Sequence, residues 1–81
     1  MYRLKYDPTA EAVHDALPAA AAEALTLALA AACHEPLDAT LPFGEVDDKY
    51  MRSVRTDHAR AILFMGHSLR TVHVVRINYL G

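Results

Sequence analysis

Tyr2, Leu4 and Tyr6 alternate with Arg3, Lys5 and Asp7, and this period of two predicts a half-buried β-strand over residues 1–6. Asp7-Pro8 reads as a helix start, because an Asp side chain accepts from first-turn amides and a Pro at the first helical position has no N–H to leave orphaned. Val13 and Leu17, with Ala10 and Ala16, give the short helix that follows one apolar stripe. Pro18 ends it and opens a second helix to His34, along which Ala22, Leu25, Leu29, Ala32 and Cys33 recur at spacings of three and four. Glu35-Pro36 stops that helix, since the residue before a Pro is driven out of the helical region.

Residues 37–48 hold Pro, Gly and several acids without a period, and read as an ordered loop crossing the domain. Strands then follow over Tyr50–Arg55, Ala59–Met65 and Thr71–Tyr79, separated by the polar breaks Thr56-Asp57-His58 and Gly66-His67-Ser68. In the second of these strands Ala59, Ala61, Leu63 and Met65 share one face, and His58, Arg60, Ile62 and Phe64 the other. The third is apolar on both sides, as a central strand would be, with Val72, Val74 and Arg76 on one face. The order is β-α-α-β-β-β. It predicts a single α+β domain over residues 1–81, an antiparallel sheet with two helices packed on one face.

Composition narrows the setting. A chain of 81 residues buries only about 60% of its unfolded surface, so its core is thin and a bound partner would add stability. The one cysteine, Cys33, cannot form an internal disulfide and sits in an apolar helical run, which fits an inert buried thiol in a reducing compartment. The first residues lack the continuous apolar run of a signal peptide. Ala19–Cys33 is interrupted by Glu23 and Thr26 and is shorter than the roughly 20 residues a bilayer crossing needs. A cytoplasmic protein without membrane association is therefore expected.

Charge is divided unevenly. Residues 49–81 carry Lys49, Arg52, Arg55, Arg60, Arg70 and Arg76 against Asp57 alone, 6 − 1 = +5, whereas residues 1–48 carry two bases and nine acids, 2 − 9 = −7. The basic half is also the β half, which points to an anionic partner for the face of the sheet that the helices leave open.

At this level the chain resembles the RelE/ParE superfamily of bacterial toxins from type II toxin–antitoxin systems, a group associated with plasmid stabilisation and growth inhibition. The resemblance spans nearly the whole chain. It is carried by Met1-Tyr2-Arg3-Leu4, Asp7-Pro8-Thr9-Ala10, Ala16-Leu17-Pro18, Glu35-Pro36-Leu37, Val74-Val75-Arg76-Ile77 and above all Val54-Arg55-Thr56-Asp57-His58-Ala59-Arg60-Ala61-Ile62-Leu63. It implies an antiparallel sheet with two helices on one face and a cognate antitoxin wrapped around the toxin. In the RelE branch it further implies mRNA interferase activity, an endonuclease cutting mRNA on the ribosome. The ParE branch instead poisons DNA gyrase.

The RNase branch places basic residues on the meander strands, and Arg55 and Arg60 match two of those positions. Ser53 stands at a third, and Leu80 stands where an Arg is expected near the end of the last strand. Many members draw a Tyr or a His-Tyr pair from a segment distal to the last strand, a contribution that the resemblance places after Gly81 and that is not expected here. Cleavage by internal attack needs a group to take the 2′-OH proton, charge stabilisation at phosphorus and a proton for the leaving oxygen. Arg suits the second task but stays protonated and cannot be the base. His58, Tyr79 and His67 are the open choices for proton carrier, against the alternative that the two histidines are solvated turn residues and Tyr79 packs. Arg55, Arg60, His58 and Tyr79 are thus the candidate catalytic set, with Lys49, Arg52 and Arg76 as RNA-phosphate ligands.

The competing reading pairs Arg55 and Arg60 with acids of the preceding loop, Glu45, Asp47 or Asp48. No histidine spacing suggests a metal, and no cofactor is expected. Three functions remain: an mRNA-cleaving toxin, a catalytically degenerate binding or regulatory module that keeps the fold and an antitoxin-like partner, and a ParE-like gyrase poison, for which the sequence offers no motif. A homodimer is compatible with each, because a small core leaves apolar surface over.

Overall fold

The structure, a computed structural model, describes residues 1–81. Its elements are β1 (Arg3–Tyr6), α1 (Pro8–Ala16), α2 (Ala19–His34), β2 (Leu41–Pro42), β3 (Met51–Arg55), β4 (Ala59–Gly66) and β5 (Thr71–Tyr79). They form one five-stranded sheet in the order β1-β5-β4-β3-β2, with the meander β2 to β5 antiparallel and β1 joining β5 in parallel. The two helices cover one face, giving the expected α+β layers. No helix is long and apolar enough to cross a membrane.

The core lies between α2 and the sheet. Leu25 and Leu29 are fully buried against Ala61, Leu63, Met65, Val72 and Val74, with Ala32 and Cys33 closing the end. Burial of a leucine side chain contributes about 1.5–3 kcal/mol, and alanine supplies much of the remaining contact. The helix-facing stripe of α2 runs through Ala21 rather than Ala22, and Ala16 of α1 is exposed while Ala10 is buried. Burial raises the Cys33 thiol above its ordinary pKa, which suppresses its nucleophilic thiolate form.

Beyond the parallel β1, which makes the sheet mixed, and the shifted stripe of α2, three further features depart from the sequence expectation. The loop contributes a strand, β2, whose Leu41 and Pro42 pair with Ser53 and Arg52 of β3; Pro42, having no N–H to offer a further neighbour, suits an edge. Asp7 precedes α1 at its N-cap but makes no side-chain capping bond, because its carboxylate is turned to His73 instead.

The third departure is a β-bulge. Ile62 of β4 is opposite Arg76, yet the next residue, Leu63, is opposite Val74, so Val75 is the extra residue on β5. A bulge of this kind switches the side-chain alternation. Val72, Val74 and then Ile77 are buried, and Arg76 leaves the Val72/Val74 face for the open one.

Candidate nucleic-acid interface

The open face is a grid set by strand register. One row runs Met51–Phe64–His73–Lys5 across β3, β4, β5 and β1. The next runs Ser53–Ile62–Arg76, and the third Arg55–Arg60–Asn78. Arg55, Arg60 and Arg76 therefore share this face, Arg76 through the bulge and the other two through simple alternation. The molecule's only Lys or Arg ion pairs are Lys49–Asp47 and Arg52–Asp47, so none of the three meets a carboxylate.

The loop acids are engaged elsewhere. Asp47 accepts from Arg52 Nη1 at 2.6 Å and from the Lys49 amide at 3.0 Å, and the Arg52 hydrogen bond is the main reason its carboxyl sits below the usual carboxylate range. Asp48 accepts from the Tyr50 and Met51 amides, which lowers its pKa in turn. Glu45 makes no ion pair. The expectation that these acids neutralise Arg55 and Arg60 is not met, and a field from three uncompensated guanidiniums remains over the face.

Arg60 is partly covered, with its guanidinium carbon 5.4 Å from the centre of the Phe43 ring, a cation–π distance. Phe43, Tyr50 and Phe64 are each more than one-third exposed. Tyr50 and Phe64 lie nearly parallel, their ring centres 6.3 Å apart and their planes 22° from one another. Aromatic surface of this kind beside Arg was not recognised from the sequence. The signal that could have found it is the Arg60-Ile62-Phe64 alternation itself.

Arg52 does not belong to this face and is corrected from phosphate ligand to structural residue. It is opposite Leu63, on the helix side, and is buried. Its Nε donates to Thr40 Oγ1 at 2.9 Å, Nη2 donates to the Leu37 and Thr40 carbonyls at 2.9 Å each, and Nη1 is taken by Asp47. A guanidinium so enclosed locks the 37–48 loop to β3 and has no edge left for a ligand. Alternation with Val54, a core residue, is the sequence signal that places it inward.

The candidate proton carriers are scattered. Tyr79 pairs with fully buried Ala59, so its parity is that of the helix side, away from the guanidiniums. His58 sits in the β3–β4 turn, where its amide donates to Thr56 Oγ1 and its carbonyl accepts from Leu80, but its imidazole has no hydrogen-bond partner to orient it. His67 has both ring nitrogens occupied, Nδ1 with the Tyr2 hydroxyl at 2.8 Å and Nε2 with the Lys49 carbonyl at 2.6 Å. It serves as a tie between the chain start and the β4–β5 turn. Lys49, in a left-handed conformation with φ 69°, keeps a largely exposed ammonium beside Asp47. No cluster of His, Cys, Asp or Glu side chains has the makings of a metal site.

A second surface feature lies at the sheet edge. Met1 and Tyr2 ahead of β1, Leu4 within it, and Ala30, Cys33 and His34 of α2 line a mostly apolar groove of about 440 Å³.

No protein-family model matches this sequence, and no curated protein is significantly similar to it. Solved structures do match. The isolated Escherichia coli RelE toxin superimposes with a TM-score of 0.82 at 18% identity, over all of this chain and 86% of that one. The toxin–antitoxin complex RelBE2 from Mycobacterium tuberculosis matches with a TM-score of 0.79 at 21% identity, over 96% of each chain. An archaeal RelE–RelB complex from Pyrococcus horikoshii gives 0.74 at 15% identity, over 99% of this chain and 96% of that one. Shape is shared from end to end while few residues are, and the chain accordingly has the fold of the RelE toxins.

Proposed function

We propose that this protein is the toxin of a toxin–antitoxin pair and acts as an mRNA endonuclease on the ribosome, gripping the message through the open face of its sheet. The observation that carries the reading is the trio Arg55, Arg60 and Arg76, unpaired on one exposed face of a RelE-type fold. A guanidinium presents a planar fork of donors to phosphate oxygens and is less tightly hydrated than an ammonium. Such groups, fixed on rigid strands, stabilise the charge that accumulates on a phosphate under attack.

An antitoxin is the partner this reading requires, and several structures of similar shape are complexes of RelE with RelB. The apolar groove between β1 and α2 offers such a partner contact area away from the guanidiniums. A cytoplasmic setting follows from a ribosomal target. One observation favours a second reading. Arg52 is consumed by the fold and Tyr79 lies on the helix side, which leaves the face rich in anion-binding groups and short of the sequence-predicted proton carriers; a phosphate-binding module without chemistry would look the same.

The two are separated by expressing the chain alone from a tightly controlled promoter in a bacterium, alongside Arg60→Ala, and following growth and the 5′ ends of transcripts. The toxin reading expects arrest and new in-frame mRNA ends with the native chain, and neither with the variant. Normal growth with soluble, folded native protein would leave the binding module.

A further inference from the structure

We propose that Asp7 and His73 form a proton-transfer dyad on the open face, serving a nucleotide whose base stacks on Phe64. This rests on the RNA-cleaving reading and supplies the proton acceptor that Arg55, Arg60 and Arg76 cannot provide.

His73 Nε2 lies 2.8 Å from Asp7 Oδ1. A carboxylate only accepts, so Nε2 carries the hydrogen and Nδ1 is left with its lone pair, unbonded to any protein group. The pair joins residues 66 positions apart, and Asp7 makes it in place of the helix cap its position favours. The side chains are 38% and 47% exposed, open enough to meet a ligand. The charged groups around the imidazole are Asp7 at the head of α1, Lys5 opposite it on β1, and Arg76 further along β5, while β4 brings only apolar Ile62 and Phe64. An imidazole oriented by a carboxylate is the usual arrangement of a general base, and here the carboxylate also steadies the imidazolium that forms.

Its neighbour across the ladder is Phe64, the Cα partner of His73, with an exposed ring backed by Tyr50. Exposed rings on a sheet are stacking platforms for unpaired bases. A base lying on Phe64 brings its ribose beside His73 and its phosphate toward Arg76 in the adjoining row. In the reaction, Nδ1 takes the 2′-OH proton as the 2′-oxygen forms a bond to phosphorus. The bond from phosphorus to the 5′-oxygen breaks, that oxygen takes a proton from water, and the hydroxide so formed recovers the proton held by the imidazolium, returning His73 to its neutral form. A 2′,3′-cyclic phosphate and a 5′-hydroxyl result. No other imidazole on this face has an orienting carboxylate.

The test is cleavage kinetics with purified native chain and ribosomes carrying a defined message, across a pH series, with His73→Gln, Asp7→Asn and Phe64→Leu in parallel and thermal melts confirming that each is folded. His73→Gln keeps the size and a hydrogen bond to Asp7, and it is expected to lower kcat about a hundredfold or more with KM unchanged and the acid limb of the pH profile abolished. Asp7→Asn lowers kcat less and displaces that limb. Phe64→Leu raises KM about tenfold at constant kcat, the worth of one base stack. A native chain that cuts, with a His73→Gln variant cutting at the same rate and with the same pH profile, overturns the dyad and leaves the cleavage reading standing. A folded native chain that does not cut overturns both.

Discussion

Arg55 and Arg60 are directly opposite one another across the β3–β4 ladder, and neither is paired with an acid. Like charges at facing positions weaken a sheet by a few tenths of a kcal/mol up to about 1 kcal/mol. A pair that costs stability and is left unneutralised makes sense as a receptor for phosphate. Arg55→Glu is therefore expected to raise stability by about 0.5–1 kcal/mol while abolishing RNA binding. Urea unfolding and a ribosome-binding assay on the same preparation check both halves.

Arg52 makes the opposite prediction. Removing it leaves the Leu37 and Thr40 carbonyls without their shared donor while Asp47 stays hydrated at the surface, and stranding buried acceptors costs about 1–3 kcal/mol. Arg52→Ala should fall by that amount in urea denaturation, a large share of the stability of so small a domain. A variant of unchanged stability but reduced RNA affinity would return Arg52 to the binding face.

Asp47 and Asp48 give the stability a pH dependence of definite sign. Both carboxyls are held below their ordinary range in the folded protein, Asp47 chiefly by Arg52 and Asp48 chiefly by the Tyr50 amide. The unfolded chain then binds protons first on acidification, so their contribution is present above the ordinary aspartate range and is lost as pH falls through the depressed folded values. The urea midpoint should hold steady from neutral pH into the weakly acidic range and then decline. Asp47→Asn should lower it at neutral pH and flatten the acid decline.

Gly66 is needed for close approach. A Cβ built there would stand 2.5 Å from Thr71 Oγ1, its ladder partner at the β4–β5 hairpin. Gly66→Ala should cost about 1–3 kcal/mol, and Thr71→Ala should recover most of it. A double-mutant cycle by thermal denaturation measures the coupling.

The helices and meander were legible because their signals are local: Asp7-Pro8, Pro18 and Glu35-Pro36 punctuate the helices, and the polar break Gly66-His67-Ser68 sets off the apolar run Thr71–Tyr79. What escaped depends on contacts between distant residues. The bulge at Val75 is hidden in Val74-Val75, where two apolar neighbours fit either parity, and it alone decides that Arg76 reaches the open face. Leu41–Pro42 is a strand only because β3 offers it an edge. The inward Arg52 could be foreseen from Val54, but not its partners in the 37–48 loop. Asp7 meeting His73 is set by β1 lying parallel to β5, a pairing that no short sequence window contains.

The central claim is that three unpaired guanidiniums on the open sheet face hold RNA phosphate. The most direct measurement is co-sedimentation of the purified chain with ribosomes carrying a message, over a series of salt concentrations, for the native protein and for a variant with Arg55→Ala, Arg60→Ala and Arg76→Ala together. Native binding should weaken steeply with salt. The triple variant should show at least tenfold lower affinity and a shallower salt slope, by about 0.7 for each phosphate that is no longer neutralised on single-stranded RNA. A folded triple variant with native affinity and native salt dependence would contradict the claim.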